Sequence, residues 1–135
     1  MTEQHGTVRL QSSLARVRGM GSAKGGTHHW WIQRVTSIAL LPLTIWFVFA
    51  VAGHTGSTHA ELVTWMARPL NAVLMLSFVL ISFHHAAAGM QVIIEDYVHA
   101  PATKIAAVFA NNAYAVVVAV ACLYAVLRIG FGQPA

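Results

Sequence analysis

The sequence predicts an all-α integral membrane protein with three transmembrane helices, and three observations carry this. Hydrophobic residues make up 57% of the 135-residue chain and charged residues only 9%, against about a quarter charged in soluble domains. A surface so poor in charge needs lipid to cover it. The apolar residues gather into three runs, each meeting the roughly 20 residues that a bilayer crossing takes. The cations are also segregated: Arg9, Arg16, Arg18, Lys24 and Arg34 all stand before or at the start of the first run. The net charge of +4 therefore belongs to a tail and does not describe a nucleic-acid-binding surface.

Residues 1–29 read as a basic N-terminal arm rich in Gly and Ser, with a short helix expected over Ser13 to Arg18. No apolar signal core or small-residue cleavage site follows in the right place, so the arm is expected to be retained. It lies either on a partner subunit or on anionic headgroups. The three-helix domain covers 30–129. Its first span runs from Trp30 to Ala52, with Trp30 and Trp31 as an interfacial belt and Gln33 and Arg34 at its mouth. Pro42 should bend it, because Ile38 loses its partner there and Thr or Ser side chains must compensate. A polar loop, Gly53 to Ala67, carries His54, His59 and Glu61. The second span runs from Pro69, a good first-turn proline, to Asp96, and His99-Ala100-Pro101 make a tight connection. The third runs from Thr103 to Ile129. Ala106/Ala110, Ala115/Ala119 and Ala121/Ala125 give it small-xxx-small spacing, Asn111 and Asn112 suit interhelical hydrogen bonds, and Arg128 should snorkel. Residues 130–135 form a C-terminal tail.

Five cations on the N-terminal side face only Arg68 in the first loop. The positive-inside rule then puts the N-terminus on the cytoplasmic or matrix side and the C-terminus opposite. Arg34, Asp96, Tyr97 and Lys104 are thereby expected at one membrane face.

Cofactor chemistry is narrowed by what is missing. The single cysteine, Cys122, lies in an apolar run, and there is no Cys-x-x-Cys or Cys-x-x-Cys-His. Iron–sulfur ligation and covalent haem attachment by this chain are excluded. No Gly-x-Gly-x-x-Gly follows a strand-like run, so flavin or nicotinamide binding by the usual fold is unsupported. Redox chemistry, if present, rests largely on other chains.

The informative stretch is Phe83 to Val98, FHHAAAGMQVIIEDYV. On a helix His85, Gly89, Val92 and Asp96 share one face, with His84, Ala88, Gln91 and Glu95 on the neighbouring stripe. His85 lies eleven residues before Asp96, about 16 Å into the bilayer. A polar group at that depth is a functional candidate by default. Neutral imidazole suits an axial position on haem iron, and Gly89 one turn away clears room for a haem edge. The other ring nitrogen then needs an acceptor, for which Ser82 or the Ile81 carbonyl are candidates. A histidine bonded to a neighbouring helix is the plainer alternative. A metal site built from His84 with His85 is disfavoured, since adjacent helical residues diverge by about 100°. No second histidine sits at the depth of His85, so a bis-histidine haem must be shared with another membrane subunit.

At the polar end, the Tyr97 hydroxyl is placed to hydrogen-bond a quinone carbonyl, with Asp96 orienting groups or relaying protons. The alternatives are a belt tyrosine and an aspartate facing water. Arg34 suits Asp96 or a haem propionate, or simply adds one more inside charge. His84 and Gln91 read as packing groups. A proton or cation pathway through His85 and Asp96 is a further class, weakened by the lack of an acidic residue in the membrane middle. A purely structural anchor is another.

His85-x-x-x-Gly89-Met90-Gln91 followed by Asp96-Tyr97-Val98 resembles the signature of the succinate dehydrogenase hydrophobic membrane anchor family. Gly-Ser-Ala-Lys at 21–24 leading into Trp30-Trp31-Ile32-Gln33-Arg34-Val35-Thr36 is similar to the start of that family's first span. The resemblance covers nearly the whole chain. It implies that His85 is an axial ligand of haem b and that Tyr97 contacts ubiquinone beside Asp96. It also implies a sister cytochrome b subunit giving the second histidine, an iron–sulfur subunit and a flavoprotein that oxidises succinate. The location implied is an inner or cytoplasmic membrane. Quinol:fumarate reductases use similar anchors, so the direction of catalysis stays open. The adjacent His84 makes the register ambiguous, and spacing to Gly89 and Asp96 selects His85.

Overall fold

The computed structural model describes residues 26–131, which leaves the expected helix over Ser13 to Arg18 and most of both tails outside the described residues. Four helices follow in order: α1 (Gly26–Gly53), α2 (His59–Met66), α3 (Pro69–Tyr97) and α4 (Pro101–Phe131). Three of them, α1, α3 and α4, are long and apolar enough to cross a membrane. The expected three-span, all-helical architecture is thus present, and each span is somewhat longer than its apolar run.

The helix ends follow local chemistry. Pro69 occupies the first turn of α3, where its missing N–H would have had no partner. The chain leaves α3 at Val98 in an extended conformation, and Pro101, which biases Ala100 away from helix, opens α4. Gly56 turns the chain with φ 86°, a left-handed conformation that favours glycine.

The segment expected to be a loop contains α2. Thr58 and Glu61 build a capping box: the Thr58 amide donates to the Glu61 carboxylate at 2.7 Å, and the Glu61 amide to Thr58 Oγ1 at 3.4 Å. These bonds hold the Glu61 carboxyl below its usual pKa, with the backbone bond from Thr58 the main cause. Trp65 of α2 stacks on Trp46 at 5.9 Å and leans on His54 at 4.6 Å, while Asn71 Nδ2 donates to its carbonyl. The short helix is thereby fastened to the ends of both spans it connects.

α3 is the middle helix, packed against α1 on one side and α4 on the other, while α1 and α4 do not meet. The α1–α3 register is antiparallel, with Gln33 and Thr36 opposite His85, and Phe47 stacks on Phe78 at 4.5 Å further along. Along α4, Lys104 Nζ donates to the Glu95 carbonyl at 2.8 Å and Asn111 Nδ2 to the Ala87 carbonyl at 2.9 Å. A Cβ on Gly130 would lie 3.4 Å from Ala72 Cβ, so the far ends of these helices approach closely.

Several expectations shift. Of the three alanine pairs only Ala115/Ala119 lies on the half-buried stripe of α4; the other two are exposed. Asn111 makes its interhelical bond, but Asn112 only accepts from Asn111. Pro42 sits inside a continuous α1, and the Thr36 and Ser37 hydroxyls return to the carbonyls of Ile32 and Gln33, not to Ile38. Among the described residues only Ala72 and Val126 are buried hydrophobics, whereas Phe49, Ile105 and Phe109 are largely exposed. So much exposed apolar surface suits a chain embedded in lipid.

Candidate functional site

His85 is half-buried where α3 faces α1. Its Nδ1 lies 2.9 Å from Thr36 Oγ1. Its Nε2 lies 3.4 Å from Gln33 Nε2, and the same amide nitrogen is 3.4 Å from the His85 carbonyl oxygen. Neither Ser82 nor the Ile81 carbonyl supports the ring, contrary to expectation. Both belong to the ring's own helix, whereas the register of α1 brings a hydroxyl directly onto Nδ1. Gly89 contributes clearance: a Cβ there would sit 3.4 Å from Gln33 Nε2, so its small size lets the glutamine lie across α3. The Gln33 Oε1 is buried without a partner.

His84 faces elsewhere. With His28, His29, Gln91 and Asn112 it lines an open groove of about 580 Å³ between α1, α3 and α4, whose remaining lining is apolar. The divergence of adjacent helical residues thus separates the two histidines onto different faces. Among the described residues no group of three His, Cys, Asp or Glu side chains could hold a metal ion alone.

Arg34 departs most from expectation. With Gln33 opposite His85 and Gly89, Arg34 stands nearly level with that ring, about 15 Å along the axis from Asp96. Among the described residues Arg34 and Asp96 are not paired. The guanidinium instead turns back one helical turn and sits 5.4 Å over the Trp30 ring. Asp96 and Tyr97 end α3, both exposed, Tyr97 at 78%. Their neighbour Glu95 carries the local contacts, accepting from Gln91 Nε2 at 2.7 Å with its carboxylate and from Lys104 with its carbonyl. Thr36 and Glu95 carry the polar contacts that sequence reasoning did not single out. The available signal for Thr36 was the polar Gln33-x-x-Thr36 spacing, which sets both on one face of an otherwise apolar span.

A bundle of three spans with a half-buried imidazole at mid-depth and an acidic-aromatic pair at one end defines a multi-pass membrane protein. Residues 8–122 match the family described as succinate dehydrogenase/fumarate reductase transmembrane subunit, and the chain belongs to that family. It is 31% identical to the succinate dehydrogenase hydrophobic membrane anchor subunit of Rickettsia bellii, over 92% of this chain and 99% of that protein. It is 33% identical to the same subunit of Paracoccus denitrificans, over 84% and 88% of the two chains. The succinate dehydrogenase membrane anchor subunit of Reclinomonas americana is 35% identical over 64% and 74%. No solved structure matches the chain.

Proposed function

We propose that this anchor shares a b-type haem with a sister membrane subunit through His85 and helps form the ubiquinone site of a succinate:quinone oxidoreductase. The observation that carries the reading is the setting of His85: an imidazole at mid-depth, steadied at Nδ1 by Thr36 and flanked by the small Gly89. An iron-binding histidine needs one ring nitrogen oriented by a hydrogen bond, as Thr36 orients Nδ1; Nε2, now 3.4 Å from Gln33 Nε2, would take the iron once that side chain turned aside. The group would supply a one-electron redox centre. His85 would hold it from this chain. The second histidine belongs to the sister subunit, because His84 opens onto the groove and the remaining described histidines lie at helix ends or in connections. Arg34, a cation level with His85 on an exposed face, asks for an anionic neighbour from outside the chain, and a haem propionate is one.

At the end of α3, Tyr97 and Asp96 present a hydroxyl and a carboxylate with their contact surface open. In a complex with an iron–sulfur subunit and a flavoprotein at the positive-inside face, Tyr97 would donate to the quinone carbonyl. Asp96 would accept or relay a proton at the rim. Lys104, bonded to the Glu95 carbonyl, fixes the start of α4 beside them. The family description also names fumarate reductase, so the same anchor would serve quinol oxidation with the electron flow reversed.

The test is the purified complex with His85→Ala, His84→Ala and Tyr97→Phe. His85→Ala loses the b-haem absorbance band, while His84→Ala keeps it. Tyr97→Phe keeps the band and lowers quinone reduction. An unchanged spectrum in His85→Ala would remove the haem assignment.

A further inference from the structure

We infer that Thr36 is a positioning residue that fixes the His85 proton on Nδ1 and so presents Nε2 as the iron-binding nitrogen; this rests on the haem reading above. Counting protons leads there. The Thr36 hydroxyl has one hydrogen, and its Oγ1 lies 2.9 Å from the Ile32 carbonyl oxygen and 3.1 Å from that of Gln33. Both carbonyls only accept. Hydroxyls within membrane helices return in this way to carbonyls one turn back, and no water competes at this depth. With its hydrogen so engaged, the oxygen meets His85 Nδ1 at 2.9 Å as an acceptor. Nδ1 therefore carries the ring proton.

On the opposite edge of the ring the Gln33 amide nitrogen lies 3.4 Å from both Nε2 and the His85 carbonyl oxygen, while Gln33 Oε1 is buried without a partner. Gly89 permits the arrangement by leaving Gln33 room. The Gln33 side chain stands where iron would reach Nε2 and would turn aside on haem binding, so the tautomer rests on the Thr36 contact.

A hydrogen bond from Nδ1–H to oxygen raises the basicity of Nε2 and orients the ring. Its loss makes the histidine a poorer electron donor and destabilises ferric relative to ferrous iron. The complex purified with its partner subunits is compared as wild type, Thr36→Ser, Thr36→Cys and Thr36→Val by potentiometric titration of the haem and by ferric low-spin electron paramagnetic resonance. Thr36→Val should shift the midpoint potential upward and change the g-values. Thr36→Ser should restore both, and Thr36→Cys, a weaker acceptor, should fall between. A merely structural role would change haem content or melting temperature without moving the potential. A haem-replete Thr36→Val complex with the wild-type potential and g-values overturns the inference while leaving His85 as ligand. Where Thr36→Val fails to assemble, Thr36→Cys decides: an intermediate potential supports the inference and a wild-type one overturns it. A wild-type complex without a His85-dependent b haem sinks this inference and its parent reading together.

Discussion

His85 is a polar side chain at a depth where polarity is costly, and its neighbours explain how it is tolerated. Both ring nitrogens and its backbone carbonyl face groups from α1, so the imidazole is satisfied without water. Tyr97 is the opposite case: an exposed hydroxyl at a helix end, free to bond something from outside the chain. In the proposed quinone site, removing that hydroxyl would delete one hydrogen bond to the quinone, and each 1.4 kcal/mol lost corresponds to about a tenfold loss of rate. Tyr97→Phe should therefore lower succinate–quinone turnover about tenfold with haem spectrum and assembly intact, as steady-state kinetics on the purified complex will show. Wild-type kinetics in that variant would remove Tyr97 from the quinone site. Glu61 gives a pH prediction outside the membrane. Its carboxyl pKa is held down by Thr58 in the folded chain, so the bonds it makes support α2 above the unfolded carboxylate pKa and are lost as pH falls through the folded one. Protection factors of the Glu61 and Leu62 amides, corrected for the intrinsic pH dependence of exchange, should fall on acidification through the carboxylate range; Thr58→Ala, which keeps the backbone donor, should weaken that fall and Glu61→Gln should abolish it.

At the scale of elements, α1 meets α3 at a small residue, Gly89, and α3 is tied to α4 by an asparagine, Asn111. A Cβ at Gly89 just reaches Gln33 Nε2, so Gly89→Ala should be close to wild type. Gly89→Leu should push the helices apart and lower both haem content and melting temperature of the complex. Asn111 ties α4 to the Ala87 carbonyl; interhelical bonds of this kind contribute about 0.6 kcal/mol in membranes. Asn111→Leu should therefore cost only a small fraction of stability, read as a slight drop in melting temperature. What could be read in the sequence follows the same division. His85, Gly89, Asp96 and Tyr97 lie within one helix, so their relations follow from its 3.6-residue period. Thr36 as the ring's partner, and the depth of Arg34, depend on how α1 slides along α3, which no period within a segment encodes. The Thr58-x-x-Glu61 box was visible, but an eight-residue helix among polar loop residues leaves too short a pattern to stand out.

For the whole molecule, the decisive property is how little of it is covered. Two buried hydrophobic residues among the described ones mean that the chain borrows its stability from lipid and from neighbouring subunits. Expressed alone in detergent, it should aggregate or melt without cooperativity, whereas co-expression with its partner subunits should give one cooperative transition. The proposed orientation is checked by single cysteines in a Cys122→Ala background. A cysteine at Thr2 should be shielded from impermeant reagent in intact cells, and one at Thr55 should react. The proposed redox role stands on one coordination bond made deep in the bilayer. The most direct measurement is the reduced-minus-oxidised spectrum of the intact complex carrying either single histidine substitution. A full b-type band is expected in His84→Ala and none in His85→Ala at equal subunit content; a full band in His85→Ala would contradict the proposed ligation.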